Sequence, residues 1–385
     1  MNTNIMKEFS FILPTRIDYG VGQIKKLIGE LKELNVKKPL IITDKGIVNS
    51  GLIKKMTSIL EENYYEYIIF DEVEANPKDY NVEKAAEIAL KSNTDGVIAF
   101  GGGSPIDAAK NALAVISYGG KALDYMGTDK VKGQVQPFIT IPTTSGTGSE
   151  VTFSSVITDS SKNFKRTMKS LYIAPKVALL DPELTISLPP EITASTGVDA
   201  LTHAIEAYSA KVSEPIADAC ALYAIELISG NIREAFSNGS NIHARAAMLM
   251  GSTLAGIAFS HSDVASVHCM AEALGGIYDA PHGVCNSILL PHVMAFSLRD
   301  ATDRYARIAR AMGSKEICDS KAAEEAVDRV RQIVSDLRLP KLAHLGVKEE
   351  DIERLAEMSV ENLSTDSNPR FMGKKEYLEV FKKAL

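Results

Sequence analysis

The segment Gly96-Val97-Ile98-Ala99-Phe100-Gly101-Gly102-Gly103-Ser104-Pro105-Ile106-Asp107 constrains this chain more than any other. An apolar, β-rich run stops at three glycines, and a helical pattern starts at once. Residues 104–116 read as a helix with Ser104 at the N-cap, Pro105 at N1 and Asp107 completing a capping box at N3. Bare backbone at a helix N-terminus suits a phosphate, because the N–H groups point outward and no Cβ blocks approach. A tight turn that needs only positive φ is the competing reading. The motif is not the usual dinucleotide fingerprint. Neither 20–22 nor 101–103 continues as G-x-G-x-x-G, and no acid follows about 20 residues later on a second strand.

The surroundings repeat the pattern. Short apolar strands at 39–43, 67–70, 96–100 and 138–141 alternate with helical spacing at 81–91 and 104–116. That alternation indicates a parallel α/β sheet. After Asp181 the character changes, and Pro189-Pro190 opens a series of helical patterns that runs to the end. A length of 385 residues fits two domains at roughly 100–200 residues each. The boundary is placed near 185, with an α/β dinucleotide-binding domain over 1–185 and an all-helical domain over 186–385.

Composition removes several classes. A net charge of −7 argues against a nucleic-acid footprint. No apolar run approaches the ~18 residues of a membrane span, and residues 246–259, interrupted by Gly251, Ser252 and Thr253, read as a buried helix. Residues 1–10 lack the apolar core of a signal peptide, so cytoplasmic residence is expected. Cys220, Cys269, Cys285 and Cys318 form no C-x-x-C pair, which fits a reducing compartment and argues against a zinc ribbon.

Three further features bear on chemistry. Asp44 ends the strand at 39–43, where it could bind ribose hydroxyls and repel a 2′-phosphate, or simply cap the next helix. The loop Pro142-Thr143-Thr144-Ser145-Gly146-Thr147-Gly148-Ser149-Glu150 also follows a strand; its hydroxyls and amides suit phosphates and riboses, or solvent. Asp199 and His203 are i,i+4, which puts them on one helix face about 5–6 Å apart at Cβ. His268 lies in a helix of small and apolar residues, and His282 in a loop leading to the next apolar helix. One carboxylate and three imidazoles could make a mixed N/O site for a divalent first-row metal; a lone helical histidine is also commonly a satisfied core residue. Glu206, three residues after His203, could orient a ligand or face solvent. His261, seven residues before His268, lies two turns away on a similar face.

Together these pieces resemble the iron-containing (group III) alcohol dehydrogenase family. The resemblance rests on Gly101-Gly102-Gly103-Ser104-Pro105-Ile106-Asp107, the loop from Pro142 to Thr147, Asp181-Pro182-Glu183-Leu184-Thr185, the helix from Gly197 to Glu206, and His268 fourteen residues before Pro281-His282-Gly283. It covers nearly the whole chain in order. It implies a dehydroquinate synthase-like architecture, with metal ligation by Asp199, His203, His268 and His282, most often of Fe²⁺, while Zn²⁺ also suits the site. Gly101, Gly102, Gly103 and Ser104 would take the pyrophosphate, Asp107 would face the nicotinamide carboxamide, and Thr143, Thr144, Thr147 and Lys165 would line the rest of the cofactor. Phe259 would wall the substrate pocket. The implied reaction is hydride transfer between a primary alcohol or aldehyde and NAD(H), with Asp44 favouring NAD(H) over NADP(H).

The chain departs from the family at Glu272, where many members carry a second histidine, and at Ser260, His261, Asp263 and Ala265. Glu272 falls one turn after His268, where it could be a fifth metal ligand or a solvated helix residue, and is expected to act as a proton relay beside His268 and His282. The rival readings are a glycerol-dehydrogenase-like zinc enzyme, a hydroxy-acid dehydrogenase, a dehydroquinate-synthase-like lyase, and a metal-free binding protein that kept the fold. An apolar strand at 9–13 is expected to help form a homodimer.

Overall fold

A computed structural model of the chain describes residues 7–385, so the signal-peptide reading of 1–10 falls partly outside the described residues. The chain divides into two compact units. One comprises 13–144 and 149–187; the other comprises 188–385 with 145–148 and 7–12.

The first unit is built on six parallel strands in the order β1 (Arg16–Tyr19), β9 (Val177–Leu180), β6 (Phe138–Pro142), β4 (Gly96–Gly101), β2 (Pro39–Ile42) and β3 (Ile68–Phe70). β2, β4, β6 and β9 are buried along their whole length, as their unbroken apolar runs require. Successive side chains point to opposite faces. Leu40, Ile42, Val97 and Ala99 join a core with α4 (Asp79–Ser92) and α5 (Gly103–Tyr118). Ile41, Ile98, Phe100, Ile139 and Ile141 join a second core with α1 (Leu27–Glu33) and α3 (Lys54–Glu62). The sheet is thus covered on both faces. The short α2 (Lys45–Asn49) follows β2.

The chain leaves β2 for β3 in one direction and returns to place β4 on its other side, before continuing to β6 and β9. The order therefore reverses between β2 and β4. In open α/β sheets the crevice beyond the carboxyl ends at such a reversal is where ligands bind. The residues that follow these two ends are Thr43-Asp44 and Gly102-Gly103.

A second sheet was not expected. β5 (Gly127–Thr128) pairs with β8 (Phe164–Lys169), which pairs antiparallel with β7 (Ser154–Asp159). β8 carries Lys165, Arg166 and Lys169 between and after Phe164 and Met168, so it offers no apolar run.

The second unit is helical: α6 (Pro190–Ser209), α7 (Pro215–Ser237), α8 (Ile242–Ser262), α9 (Ser266–Tyr278), α10 (His282–Ser297), α11 (Thr302–Ala311), α12 (Asp319–Asp336), α13 (Ile352–Val360) and α14 (Lys374–Ala384). No strand occurs among the described residues after Asp181. α6 is the central helix, buried from Gly197 to Ser209. A Cβ at Gly197 would lie 2.8 Å from both Ile232 on α7 and Met248 on α8, so the glycine sets how closely the helices meet. α8 is long and apolar enough to cross a membrane by length and composition, and 61% of its most apolar stretch is buried within the protein.

Residues 9–13 are not a strand. Pro14 follows them and offers no N–H, and His261 occupies the backbone of Ile12. The Ile12 N–H donates to His261 Nε2 at 3.2 Å, and its carbonyl lies 3.0 Å from the same nitrogen. Phe11 stacks on the imidazole with ring centres 4.1 Å apart.

Candidate active site

In the helical unit the fold draws together Asp199, His203, His268 and His282, whose donor atoms all lie within 4.8 Å of one another. Asp199 and His203 come from one face of α6. His268 is the third residue of α9, and His282 is not in a loop but opens α10, with Pro281 as its N-cap. A Cβ at Gly283 would lie 2.6 Å from the Ser195 carbonyl, so this glycine lets α10 approach α6 closely enough for His282 to reach the group. The side chains of Asp199, His203 and His268 are 3–6% exposed, whereas that of His282 is 25% exposed. Three of the four residues are thus buried and only His282 is partly exposed, which fits a catalytic metal that keeps one position accessible.

The local chemistry suits a cation. Burial, reinforced by the positive charge of a protonated His268, holds the His203 pKa well below the ordinary imidazole value, so His203 is neutral. Its Nδ1 is buried without a hydrogen-bond partner and lies 3.9 Å from Asp199 Oδ2. At His268 burial opposes the charged form, but the hydrogen bond and charge of Glu206, with the charges of Asp199 and Glu272, outweigh it and raise the pKa. A buried imidazole nitrogen without a proton partner, beside a buried carboxylate and two further imidazoles, fits a divalent first-row metal.

Three neighbours complete the centre. Glu206 is buried and accepts from His268 Nδ1 at 2.5 Å, which excludes the solvent-facing alternative. Phe259 stacks on His203 with centres 4.6 Å apart. Asn286, one turn after His282, was not expected. Its Nδ2 lies 2.6 Å from Asp199 Oδ1 and 3.2 Å from both His268 Nε2 and His282 Nε2. The i,i+4 spacing from His282 was the available signal, but an asparagine in an apolar helix carries no metal-ligand signature by itself. Glu272 is not in the four-residue group; its carboxylate accepts from Asn362 Nδ2 at 2.7 Å. His261 also stands outside it.

In the α/β unit the glycine turn is built differently from the sequence reading. α5 begins at Gly103 with Gly102 as N-cap, so Ser104 is not the cap and the Ser104/Asp107 capping box does not form. The reason is Gly101, whose φ of +155° turns the chain earlier than an L-residue allows. A Cβ there would sit 2.7 Å from Pro105 Cγ. No side chain caps α5, so its first N–H groups face outward. Asp107 is turned to other partners, accepting from Ser149 Oγ at 2.6 Å and from the Val156 N–H at 3.0 Å, while the Lys165 charge acts on it from β8. Asp44 is the N-cap of α2, with Oδ1 accepting from the Ile47 N–H at 3.0 Å. Its Oδ2 is directed to the glycine turn, 3.5 Å from where a Gly101 Cβ would stand.

The Thr143 N–H donates to the Gly101 carbonyl at 3.0 Å, and Thr143 Oγ1 is buried without a partner. Thr144 packs on Gly102, 3.2 Å from its virtual Cβ. An uncapped helix start, a bare glycine turn, an unpartnered hydroxyl and an acid at the sheet's reversal point fit a dinucleotide. Thr147 belongs to the piece 145–148 of the helical unit. There Gly146 sits against Thr196, and Gly148, at φ +60°, leaves only 2.6 Å between a virtual Cβ and Gly256 Cα. These loop glycines serve close packing on α6 and α8 rather than solvation.

A doubly wound nucleotide-type sheet and a His/Asp cluster in a helical unit fit the class of metal-binding, nucleotide-binding enzymes. Residues 14–182 match the iron-containing alcohol dehydrogenase model, and residues 193–385 match the C-terminal model of the Fe-containing alcohol dehydrogenase family. The chain is 38% identical to choline dehydrogenase of Bacillus subtilis, over 100% of this chain and 97% of the relative. It is 38% identical to NAD-dependent methanol dehydrogenase of Bacillus methanolicus, over 98% of this chain and 100% of the relative. Its fold matches the crystal structure of a 1,3-propanediol oxidoreductase with a TM-score of 0.95 and 38% identity, covering 98% of this chain and 100% of that one. The chain belongs to the iron-containing alcohol dehydrogenase family and is an oxidoreductase.

Proposed function

We propose that this chain oxidises short primary alcohols and reduces their aldehydes, preferring NAD(H) and using Fe²⁺ held by Asp199, His203, His268 and His282, a set that Zn²⁺ also suits. The observation that carries the reading is the four-residue group, with Asp199, His203 and His268 buried and His282 partly exposed. A divalent metal there supplies Lewis-acid polarisation of the alcohol or carbonyl oxygen, and a nicotinamide supplies the hydride acceptor or donor. The protein supplies position and dryness. Phe259 shields His203, Asn286 donates to Asp199, and the glycine turn with Ser104, Thr143, Thr144 and Thr147 would hold the cofactor. Asp107, held by Ser149 and the Val156 N–H, would meet the nicotinamide with its remaining lone pairs, and Lys165 would serve a ribose. At equal identity the relatives are a choline and a methanol dehydrogenase, so overall likeness does not choose the alcohol. A substrate panel with metal-loaded protein tests the reading; no NADH-linked turnover with any primary alcohol or aldehyde would end it.

The NAD(H) preference rests on Asp44. Capping occupies its Oδ1 and leaves Oδ2 towards the glycine turn, where a carboxylate binds ribose hydroxyls and repels a 2′-phosphate. Asp44→Gly relaxes the preference by ~1–3 kcal/mol. Glycine is tolerated at an N-cap at a cost of a few tenths of a kcal/mol, so the change isolates cofactor choice. Steady-state kinetics with both cofactors check it; equal catalytic efficiency in the unmodified enzyme would contradict it.

Glu272 is assigned the alcohol proton. It lies one turn after His268, its charge acts on that imidazole, and Asn362 anchors its Oε2. Glu272→Gln lowers kcat by ~10²-fold with metal binding intact. Parent-like rates at every pH would remove Glu272 from the mechanism.

The reading includes a homodimer in the cytoplasm. Phe9, Ile12 and Leu13 are 39–47% exposed, an apolar segment suited to a second copy. None of the four cysteines forms a disulfide. Light scattering at micromolar concentration is expected to report twice the chain mass; a monomer refutes the assembly.

A further inference from the structure

We propose that Glu206 is the positioning residue of the metal centre, fixing both the tautomer and the orientation of His268. The proposal rests on the metal-dependent reading above. Glu206 lies on α6 three residues after His203 and is 3% exposed. Its carboxylate accepts three hydrogen bonds, all from the start of α9. Oε1 takes the Val267 N–H at 2.7 Å, and Oε2 takes the Ala265 N–H at 3.0 Å and His268 Nδ1 at 2.5 Å.

Two consequences follow from that geometry. Ala265 is the N-cap of α9 and has no side chain that could satisfy the helix's first N–H groups, so a carboxylate from another helix does so. The helix that carries His268 is thereby pinned to the helix that carries Asp199 and His203. Second, a carboxylate can only accept, so His268 must carry its proton on Nδ1. The lone pair of Nε2 is then presented to the centre, where that atom lies 3.2 Å from Asn286 Nδ2, which itself lies 2.6 Å from Asp199 Oδ1. Such carboxylate–imidazole pairs raise ligand basicity, and their loss typically costs 10–100-fold in metal affinity.

Helix capping alone would leave the tautomer and the metal affinity of a folded variant untouched, which separates the two roles. In the unmodified protein stripped of metal, and at a pH high enough that His268 is neutral, ¹⁵N imidazole NMR with His268→Gln for assignment is expected to show the one proton of His268 on Nδ1. Finding the proton on Nε2 overturns the proposal, and this measurement needs no stable Glu206 variant. In Glu206→Gln, Zn²⁺ affinity by chelator competition is expected to fall 10–100-fold, while thermal unfolding still shows a cooperative transition. Folded Glu206→Gln that holds Zn²⁺ as tightly as the parent overturns the proposal and leaves the metal reading standing. A parent protein that holds no Zn²⁺ overturns both.

Discussion

His268→Ala loses its bound metal and its turnover together. The substitution removes one of three imidazoles from a donor group whose atoms lie within 4.8 Å of one another. It also leaves the Glu206 carboxylate buried without the imidazole it accepts from at 2.5 Å. Metal polarisation of the reacting oxygen is worth several kcal/mol, so kcat/KM falls by ~10³-fold or more. Metal analysis beside NADH-linked kinetics measures both losses. The parent enzyme behaves in the same way when a chelator strips it, and Fe²⁺ or Zn²⁺ restores it. Full activity in stripped protein would refute metal dependence.

Lys110→Met is expected to cost stability rather than chemistry. Lys110 is fully buried inside the α/β unit. Its Nζ lies 2.7 Å from the Ser149 carbonyl, 2.9 Å from Ser149 Oγ, 2.7 Å from Thr152 Oγ1 and 2.8 Å from the Ser154 carbonyl. An ammonium has three protons, so this nitrogen is fully used in linking α5 to the segment before β7 and to the first residue of β7. Methionine keeps the volume but strands those acceptors and the nearby charge of Asp107. Breaking a buried charged arrangement from one side costs about 3–5 kcal/mol, measurable as a lowered urea midpoint.

A pH test accompanies it. Burial outweighs the charges of Asp107 and Glu150 and lowers the Lys110 pKa from 10.5 to about 8. Between those values the unfolded chain holds a proton that the folded chain has released. Stability contributed by this group therefore rises with pH across that window. The variant lacks that rise; an identical pH slope in parent and variant would count against the assignment.

What the sequence determined was whatever local physics encodes. Strands such as 97–100, buried on both faces, must be apolar without interruption, and three glycines between a strand and a helix leave few backbone solutions. Asp199 and His203 share a face because a helix repeats every 3.6 residues. The packing of α6, buried from Gly197 to Ser209, follows from its small and apolar residues. β8 is not legible locally, because Phe164 and Met168 are isolated among Lys165, Arg166, Thr167 and Lys169 and form no apolar run. A Ser-Pro-x-Asp string satisfies the cap pattern at Ser104, yet α5 starts at Gly103 with Gly102 as its cap, just after the positive φ at Gly101.

Tertiary structure alone decided the rest. Nothing local ties Glu206 to residues 59 to 62 positions later, yet the packing of α6 against the start of α9 turns a carboxylate that sequence could read as solvated into the acceptor for Ala265, Val267 and His268. Nothing local brings Asn286 to Asp199 across 87 residues. His261 went to the backbone of Ile12, 249 residues away, rather than to the cluster two turns along its face. Sequence spacing fixes which side chains share an element. Which elements meet is set by burying the apolar faces of whole helices, and the partners of each buried polar atom are settled only by that packing.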